Sequence, residues 1–271
     1  MGNVHIKAGE KSSTKALIIF GRVCSYIFLI LMAVISLSPL ILPIIGVFPE
    51  FSGNFRAAFS KEFLISFRNS FLIAAASGVL SSYFSAMTAY GFHVYDFKFK
   101  KFAYSFILIM MLIPTQIYAA GFVNWVFKLG LNDTFWPLII PSIAAPVVFF
   151  FMNRYMESYL PIEVIEAARI DGAGEFRIFN VIALPAVRPM IVVQLLLSFI
   201  ASWNNYFIPL LILSDKNAKT LPIWLAILRD TAADEHARGM LYMTILLAVI
   251  PIFLIYIFAS KHIMRIADED R

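Results

Sequence analysis

The chain has 271 residues, 61% of them hydrophobic and 14% charged, with a mean hydropathy of +0.81. A soluble domain carries about 25% charged residues, so this composition excludes one and indicates a polytopic membrane protein folded as one helical unit. The formal charge of +5 comes from basic residues scattered at the ends of apolar runs, which excludes a nucleic-acid surface and points to membrane orientation. Cys24 is the single cysteine, and His5, His93, His236 and His262 fall in separate segments, so neither a disulfide nor a metal cluster is expected.

Six segments supply the roughly 20 mainly apolar residues that a bilayer-crossing helix needs: 17–42, 69–92, 102–127, 135–152, 190–213 and 240–261. The first is too long for the apolar core of a signal peptide and lacks a small-residue cleavage pattern, so it is expected to remain as a span. An outer connection, 47–66, sets it apart from the others. Pro114 lies inside the third segment and frees a backbone carbonyl there, giving either a packing kink or a gate hinge. Gly130-Leu131-Asn132-Asp133 is a good turn, and the fourth segment carries Pro137, Pro141 and Pro146. With the N-terminus inside, 14 of the 22 Lys and Arg residues fall on the cytoplasmic side and 8 outside, which predicts cytoplasmic termini and a cytoplasmic 159–190 loop. The outer connection 214–238 is long for a hairpin and is expected to hold a short amphipathic helix at 224–228.

The 159–190 loop is the one long polar-rich interruption of the second half. Pro161 can open a helix, with Glu163 and Glu166 where negative charge suits the helix dipole. Asp171-Gly172 closes it, Gly172 being suited to a left-handed conformation. A second short helix is expected at 174–182, with Phe176 and Phe179 on neighbouring turns and Pro185 and Pro189 as stops.

The spans hold no Asp, Glu, Lys or Arg at depth, which disfavours an ion-coupled carrier. No Gly-Lys pair occurs, so the chain has no phosphate-cradling loop of its own, and no catalytic constellation is present. Uphill transport would need energy delivered from outside the chain.

Glu166-Ala167-Ala168, Asp171-Gly172-Ala173, Ile182, Leu184 and Pro185 resemble the EAA motif of the membrane subunits of bacterial ATP-driven importers. Asn69-Ser70, Ala89-Tyr90 followed by Phe97-Lys98-Phe99-Lys100-Lys101, Pro114, Gly130 to Asp133, Trp203-Asn204, Leu213-Ser214-Asp215 and Thr220-Leu221-Pro222 resemble the maltose-type sugar permease branch of that family. The resemblance runs over 67–257. It implies an all-α type I importer permease fold in a bacterial cell membrane, divided as 1–66, a core of 67–260 with the coupling loop 157–189, and a tail of 261–271. It also implies a second homologous permease subunit, two cytoplasmic ATPase subunits, an extracytoplasmic solute-binding protein and a lipid bilayer as partners. No cofactor is expected on this chain, ATP and Mg²⁺ belonging to the ATPase.

Carried over by position, the resemblance makes Glu166 an ion-pair partner for the ATPase, lets Ala167, Ala168 and Ala173 permit close contact, and gives Gly172 the turn. Glu163, Arg169, Asp171 and Phe176 complete the expected docking surface. Polar residues within the spans are candidates for the solute path: Gln116, Asn124, Gln194, Trp203, Asn204, Asn205 and Tyr206. They equally suit interhelical hydrogen bonding, and Trp203 equally suits an interfacial anchor. Two departures stand out: the tail reads KHIMRIADEDR rather than Gly-rich, and Asn205 stands where the branch commonly has an acid. Sugar import is the function implied. Import of a polyol, glycerol phosphate or acidic oligosaccharide is the alternative, with a non-transporting membrane scaffold behind it.

Overall fold

A computed structural model describes residues 3–269, with side chains described from 20 to 260 except at 39, 40, 42, 49, 235, 236 and 259. The tail 261–271 and the basic residues Lys7, Lys11 and Lys15 lie outside the described side chains, and residues 270 and 271 outside the described backbone. Every regular element among the described residues is helical. They are α1 (Asn3–Val47), α2 (Phe51–Ala58), α3 (Lys61–Val94), α4 (Lys100–Met111), α5 (Thr115–Lys128), α6 (Trp136–Ile139), α7 (Pro146–Tyr159), α8 (Ile162–Ile170), α9 (Glu175–Ile178), α10 (Leu184–Ala186), α11 (Arg188–Trp203), α12 (Phe207–Ile212), α13 (Leu221–Thr231) and α14 (Glu235–Glu269). A 3₁₀ turn, Ile140–Ile143, links α6 to α7, and a π turn, Phe179–Ala183, links α9 to α10.

α3 is the central helix, packed along α11 and α7, and its buried stripe explains why. Ser66, Ser70, Ala74, Ser77, Gly78, Ser81, Ser85 and Ala89 recur every three or four residues and are all buried. In a lipid environment, association rests on close backbone approach rather than water exclusion, and small residues at that spacing allow it. At Gly78 the two backbones come close: a Cβ there would lie 3.3 Å from the Leu195 carbonyl oxygen and 3.6 Å from the Phe199 nitrogen. α1 packs mainly on α14 and leaves most of its described length exposed, the pattern of a lipid-facing helix at the edge.

Among the described residues, four helices are long and apolar enough to cross a membrane, and up to six crossings result when each of two bent pairs counts as one. The third expected span is such a pair. α4 and α5 meet at 95°, and with 12 and 14 residues neither reaches the roughly 30 Å of a bilayer core at about 1.5 Å per residue. The cause is Pro114: α4 closes with short i→i+3 bonds from Leu112 and Ile113 to the Ile109 and Met110 carbonyls, and Pro114 restarts the chain as the extended N-cap of α5.

The fifth expected span, 190–213, is also interrupted. α11 ends at Trp203 and α12 begins at Phe207. Pro209 has no N–H to return to Asn205 and its ring would crowd that carbonyl, so the helix cannot run through 204–206. In the loop, Pro185 does not stop the second helix as expected. The π turn opens the ladder at the carbonyl that the ring would strike, helix resumes at Leu184, and the stop comes at Val187, beyond which α11 departs at 82°. The 47–66 connection contains α2, and the short helix expected at 224–228 is the longer α13.

Two distant sequence motifs prove to be halves of one contact. Asn69 is fully buried, and its Nδ2 donates to the carbonyls of Asn217 (2.8 Å) and Lys219 (3.0 Å), while Ser70 Oγ accepts the Leu221 N–H (2.8 Å). Likewise the Asp133 carboxylate accepts the Ser214 and Asp215 N–H groups, and these hold it below the ordinary carboxylate range, the Asp215 N–H contributing most. Asn69→Ala leaves two carbonyls without their donor and is expected to cost about 1–3 kcal/mol, read as a lowered thermal midpoint of the purified chain.

Candidate coupling loop and solute passage

The loop between α7 and α11 has a buried face and an exposed one. Ile165, Ala168, Ile178, Phe179 and Ala183 point inward and join Ala86, Ala89 and Tyr90 of α3 and Met152 and Met156 of α7 in one apolar cluster. Full burial of a side chain such as Ile165 contributes about 2 kcal/mol, so the loop is fused to the helices it connects rather than hung from them.

α8 begins after Pro161, which sits extended at its N-cap, and carries Glu163 in its first turn. It ends in a Schellman motif. Gly172 adopts φ +80°, its N–H bonds to the Arg169 carbonyl, and the Ala173 N–H reaches the Ala168 carbonyl, each at 3.0 Å. A β-branched residue at that φ is strained by about 1–2 kcal/mol. Gly172→Val is therefore expected to insert normally but to swing α9 relative to α8, seen as new protease cleavage in the loop.

A charged knot fixes the angle between the two helices. Arg169 Nε donates to Glu175 Oε1 at 2.6 Å, the Tyr90 hydroxyl donates to Glu175 Oε2 at 3.0 Å, and the Tyr95 ring lies 5.4 Å from the Arg169 guanidinium carbon. The Arg169 hydrogen bond is the main reason the Glu175 carboxyl is pulled down to about 2, while burial and the Glu175 carboxylate push the Tyr95 hydroxyl up. Two further ties hold the loop to α3. His93 Nε2 lies 2.8 Å from the Leu160 carbonyl oxygen, which can only accept, and the Tyr83 hydroxyl donates to Asn180 at 3.1 Å.

The outward face carries Glu163, Glu166, Ala167, Asp171 and Phe176, together with Ile162, Val164 and Ile170. Ile170 is 86% exposed and Phe176 69%. A shallow pocket of about 300 Å³ opens beside them, lined by Asp171, Gly172, Ala173 and Arg177. Ala168 and Arg169 are placed differently from the other expected docking residues: Ala168 is buried against the chain's own core, and Arg169 is engaged by Glu175.

The path candidates separate as well. Trp203 is buried between Phe199 (stacked, 5.6 Å) and Phe67 (edge-on, 5.4 Å), which removes the interfacial-anchor reading and makes it backing for the α3–α11 contact. Gln194 is also buried, near Met190. Gln116, Asn124, Asn204 and Tyr206 are exposed on the chain. Asn205, in the break between α11 and α12, lines a cavity of about 420 Å³ with Thr115 and Tyr118 of α5 and Pro137, Leu138 and Pro141 of the fourth segment. The breaks before α5 and between α11 and α12 meet there, so irregular backbone is concentrated around a hollow that carries three polar side chains, where a membrane protein tolerates it.

This geometry agrees with the comparison to known families, in which residues 78–266 match the model of the binding-protein-dependent transport system inner membrane component. The chain belongs to that family. The permease is 36% identical over 196 residues, 72% of its own length and 69% of the relative's, to the arabinooligosaccharides transport system permease protein AraQ of Halalkalibacterium halodurans. It is 28% identical over 258 residues to the maltodextrin transport system permease protein MdxG of Bacillus subtilis, covering 89% and 92% of the two chains. It is 29% identical over 197 residues to the sn-glycerol-3-phosphate transport system permease protein UgpE of Brucella abortus. Its fold matches a chain of a bacterial ABC transporter involved in the import of the acidic polysaccharide alginate, with TM-score 0.78 at 22% identity over 90% of this chain and 96% of that one. The permease thus has the type I importer fold and is a transport component of a bacterial membrane, not an enzyme.

Residues central to this site that motif reading passes over are Tyr95, Glu175 and Ile170, and, in the cavity, Thr115 and Tyr118; Tyr90 enters it only as part of the Ala89-Tyr90 resemblance. Glu175 had a local signal, an acid at the start of a helix three residues after the Gly172 turn, but its pairing with Arg169 depends on the turn angle. Thr115 follows Pro114 directly and Tyr118 by one helical turn, and both are found once the bend is known.

Proposed function

We propose that this permease carries a neutral oligosaccharide through a passage shared with a second, homologous permease subunit. Two cytoplasmic ATPase subunits drive it, and an extracytoplasmic binding protein feeds it. Both termini and the α8–α9 loop lie in the cytoplasm, as the distribution of Lys and Arg favours. The bent pairs count as single crossings, making six. ATP and Mg²⁺ are held by the ATPase. The core, 67–260, carries the passage, with 1–66 and 261–271 as flanking segments.

The observation that carries the reading is the two-faced loop: an apolar and acidic surface presented outward on a framework whose inner face is part of the α3–α7 core. A partner that grips Glu163, Glu166, Ala167, Asp171, Gly172, Ala173 and Phe176 moves those helices with it. Work is transmitted because the element has two arrangements and the partner binds one better. Ala168 and Arg169 serve from inside, setting the loop's seat and angle.

For the solute, the cavity at the helix breaks offers Thr115, Tyr118 and Asn205 beside apolar and aromatic walls, which suits sugar hydroxyls and C–H faces. No cationic residue lines it, whereas a glycerol phosphate or acidic oligosaccharide would call for one. Exposed Gln116, Asn124, Asn204 and Tyr206 face the second subunit and complete the wall.

The test is uptake by proteoliposomes holding the assembled transporter, with a neutral oligosaccharide panel set against glycerol phosphate and an acidic oligosaccharide. ATP hydrolysis stimulated by the loaded binding protein, with accumulation of a neutral member that Asn205→Leu reduces, is the expected result. Hydrolysis without accumulation of any solute would leave only the scaffold reading.

A further inference from the structure

At the loop end of the bundle, a cavity of about 660 Å³ lies between the end of α3, the 95–99 segment, the start of α4 and the last turns of α7. It belongs neither to the exposed face of α8–α9 nor to the passage. Lys98, Lys100, Lys101 and Arg154 line it, with Asp96 and Glu157 as the acids. Lys100 pairs with Asp96 (3.5 Å) and Arg154 with Glu157 (2.8 Å), so both acids are matched within the chain. Lys98 and Lys101 make no ion pair among the described residues and leave the cavity two positive charges in excess. The N-terminus of α4 opens on the same space, with no acidic residue in its first turn and no side-chain cap, so its free N–H groups add to the attraction for an anion.

A second observation shows what else the occupant must offer. Asn153 is 2% exposed and lines the cavity. Its Nδ2 donates to Glu157 at 2.8 Å, which fixes the amide orientation because the reversed amide would set oxygen against carboxylate. Its Oδ1 is buried without a partner and needs a hydrogen-bond donor. The surroundings then decide between a free and a tethered ligand. Phe99, at the N-cap of α4, and Phe102, Phe106 and Ile109 along it are exposed, an apolar lane running from the mouth of the cavity along the outer side of the helix. Lys98 also lies 5.9 Å over the Phe99 ring, at the junction of charge and lane.

We propose that this cavity seats the headgroup of an anionic phospholipid bearing a hydroxyl donor, of the phosphatidylglycerol type. The phosphodiester sits against Lys98, Lys101 and the N-terminus of α4, the glycerol hydroxyl donates to Asn153 Oδ1, and the acyl chains follow the α4 lane. Basic pockets between spans on the cytoplasmic side are suited to such headgroups. The inference rests on reading α3 and α4 as membrane helices, and lipid retention is measured without transport, so either reading can fail alone.

The test is native mass spectrometry of the purified full chain with phosphatidylglycerol, phosphatidic acid, phosphatidylcholine or inorganic phosphate. Phosphatidylglycerol should be retained over phosphatidylcholine, and Lys98→Gln with Lys101→Gln, both on the surface and tolerated by the fold, should weaken it roughly 30-fold, about fivefold per basic residue. Asn153→Ala should bring phosphatidylglycerol down to the level of phosphatidic acid. If that buried variant does not fold, the lysine pair still decides. Equal retention of phosphatidylcholine, indifference to the lysine pair, or displacement by millimolar inorganic phosphate would overturn the proposal. So would a photoreactive residue at 101 that captures the ATPase instead of lipid in the assembled transporter.

Discussion

Replacing Ile170 and Phe176 together by aspartate should abolish solute uptake while leaving the permease in the membrane at its normal level. Both side chains stand out from the loop, 86% and 69% exposed, and neither belongs to the cluster that holds α8 and α9 to the bundle. Their loss therefore costs the folded chain little. In a docked complex the account reverses. Seating two large apolar side chains contributes about 1.5–3 kcal/mol each, and a carboxylate in either seat adds a desolvation penalty. A loss of about 5 kcal/mol corresponds to an affinity lowered more than a thousandfold. The ATPase should no longer co-purify, and binding-protein-stimulated hydrolysis should vanish with it. Wild-type co-purification and uptake by the double variant would remove the loop's outward face from the mechanism.

Reversing the charge of Arg169 alone should uncouple the transporter, and reversing Glu175 in the same chain should restore part of what was lost. Arg169→Glu sets two carboxylates facing each other where an ion pair of 2.6 Å stood, with Tyr90 and Tyr95 unable to neutralise both. The α8–α9 angle then opens, and uptake is expected to fall at least tenfold (~1.4 kcal/mol) although no residue of the outward face has changed. In Arg169→Glu with Glu175→Arg the pair is re-formed but the cation no longer lies over Tyr95, so recovery is incomplete. A partner contact made by Arg169 itself would give no recovery at all. The pH dependence follows from the direction of the shift. Glu175 is depressed from 4.5 to about 2, chiefly by the Arg169 hydrogen bond, so its contribution is full above the unfolded value and fades only as pH falls toward 2. Acidification from pH 7 to pH 5 should leave the loop's protease resistance unchanged in the native chain.

The loop shows how far residue patterns reach. Pro161, Glu163 and Asp171-Gly172 are local signals, and each produces its feature in place, because a helix start and a left-handed stop depend on residues within one turn. Pro185 is the contrary case. Its effect hangs on whether the ladder four residues back can open, and the π turn at Phe179–Ala183 opens it because Phe179 and Ala183 are held by α3 and α7. Ala168 and Ala167 are adjacent and alike in sequence, yet one is buried and the other exposed, a difference that belongs to which side of α8 meets the bundle. In the spans, a mainly apolar stretch of 26 residues at 102–127 satisfies the length criterion for one helix and is two helices at 95°. The serine, alanine and glycine stripe of α3 was not singled out in the sequence, and its burial in the structure marks the helix around which the bundle packs.

The docking role of the one polar loop was implied by the family resemblance; by itself the sequence determined that this chain lives in a bilayer and that it is helical. Those properties follow from solvent preference, local backbone chemistry and the presence or absence of residue types. Only the tertiary structure decided that Asn69 and Lys219, or Asp133 and Ser214, are partners, that Arg169 is occupied by Glu175, and that Thr115, Tyr118 and Asn205, beside the breaks at α5 and α12, line one cavity. Each of these is a meeting of groups distant along the chain or across a turn, and it exists because α3 lets α7 and α11 come close enough to bring them together.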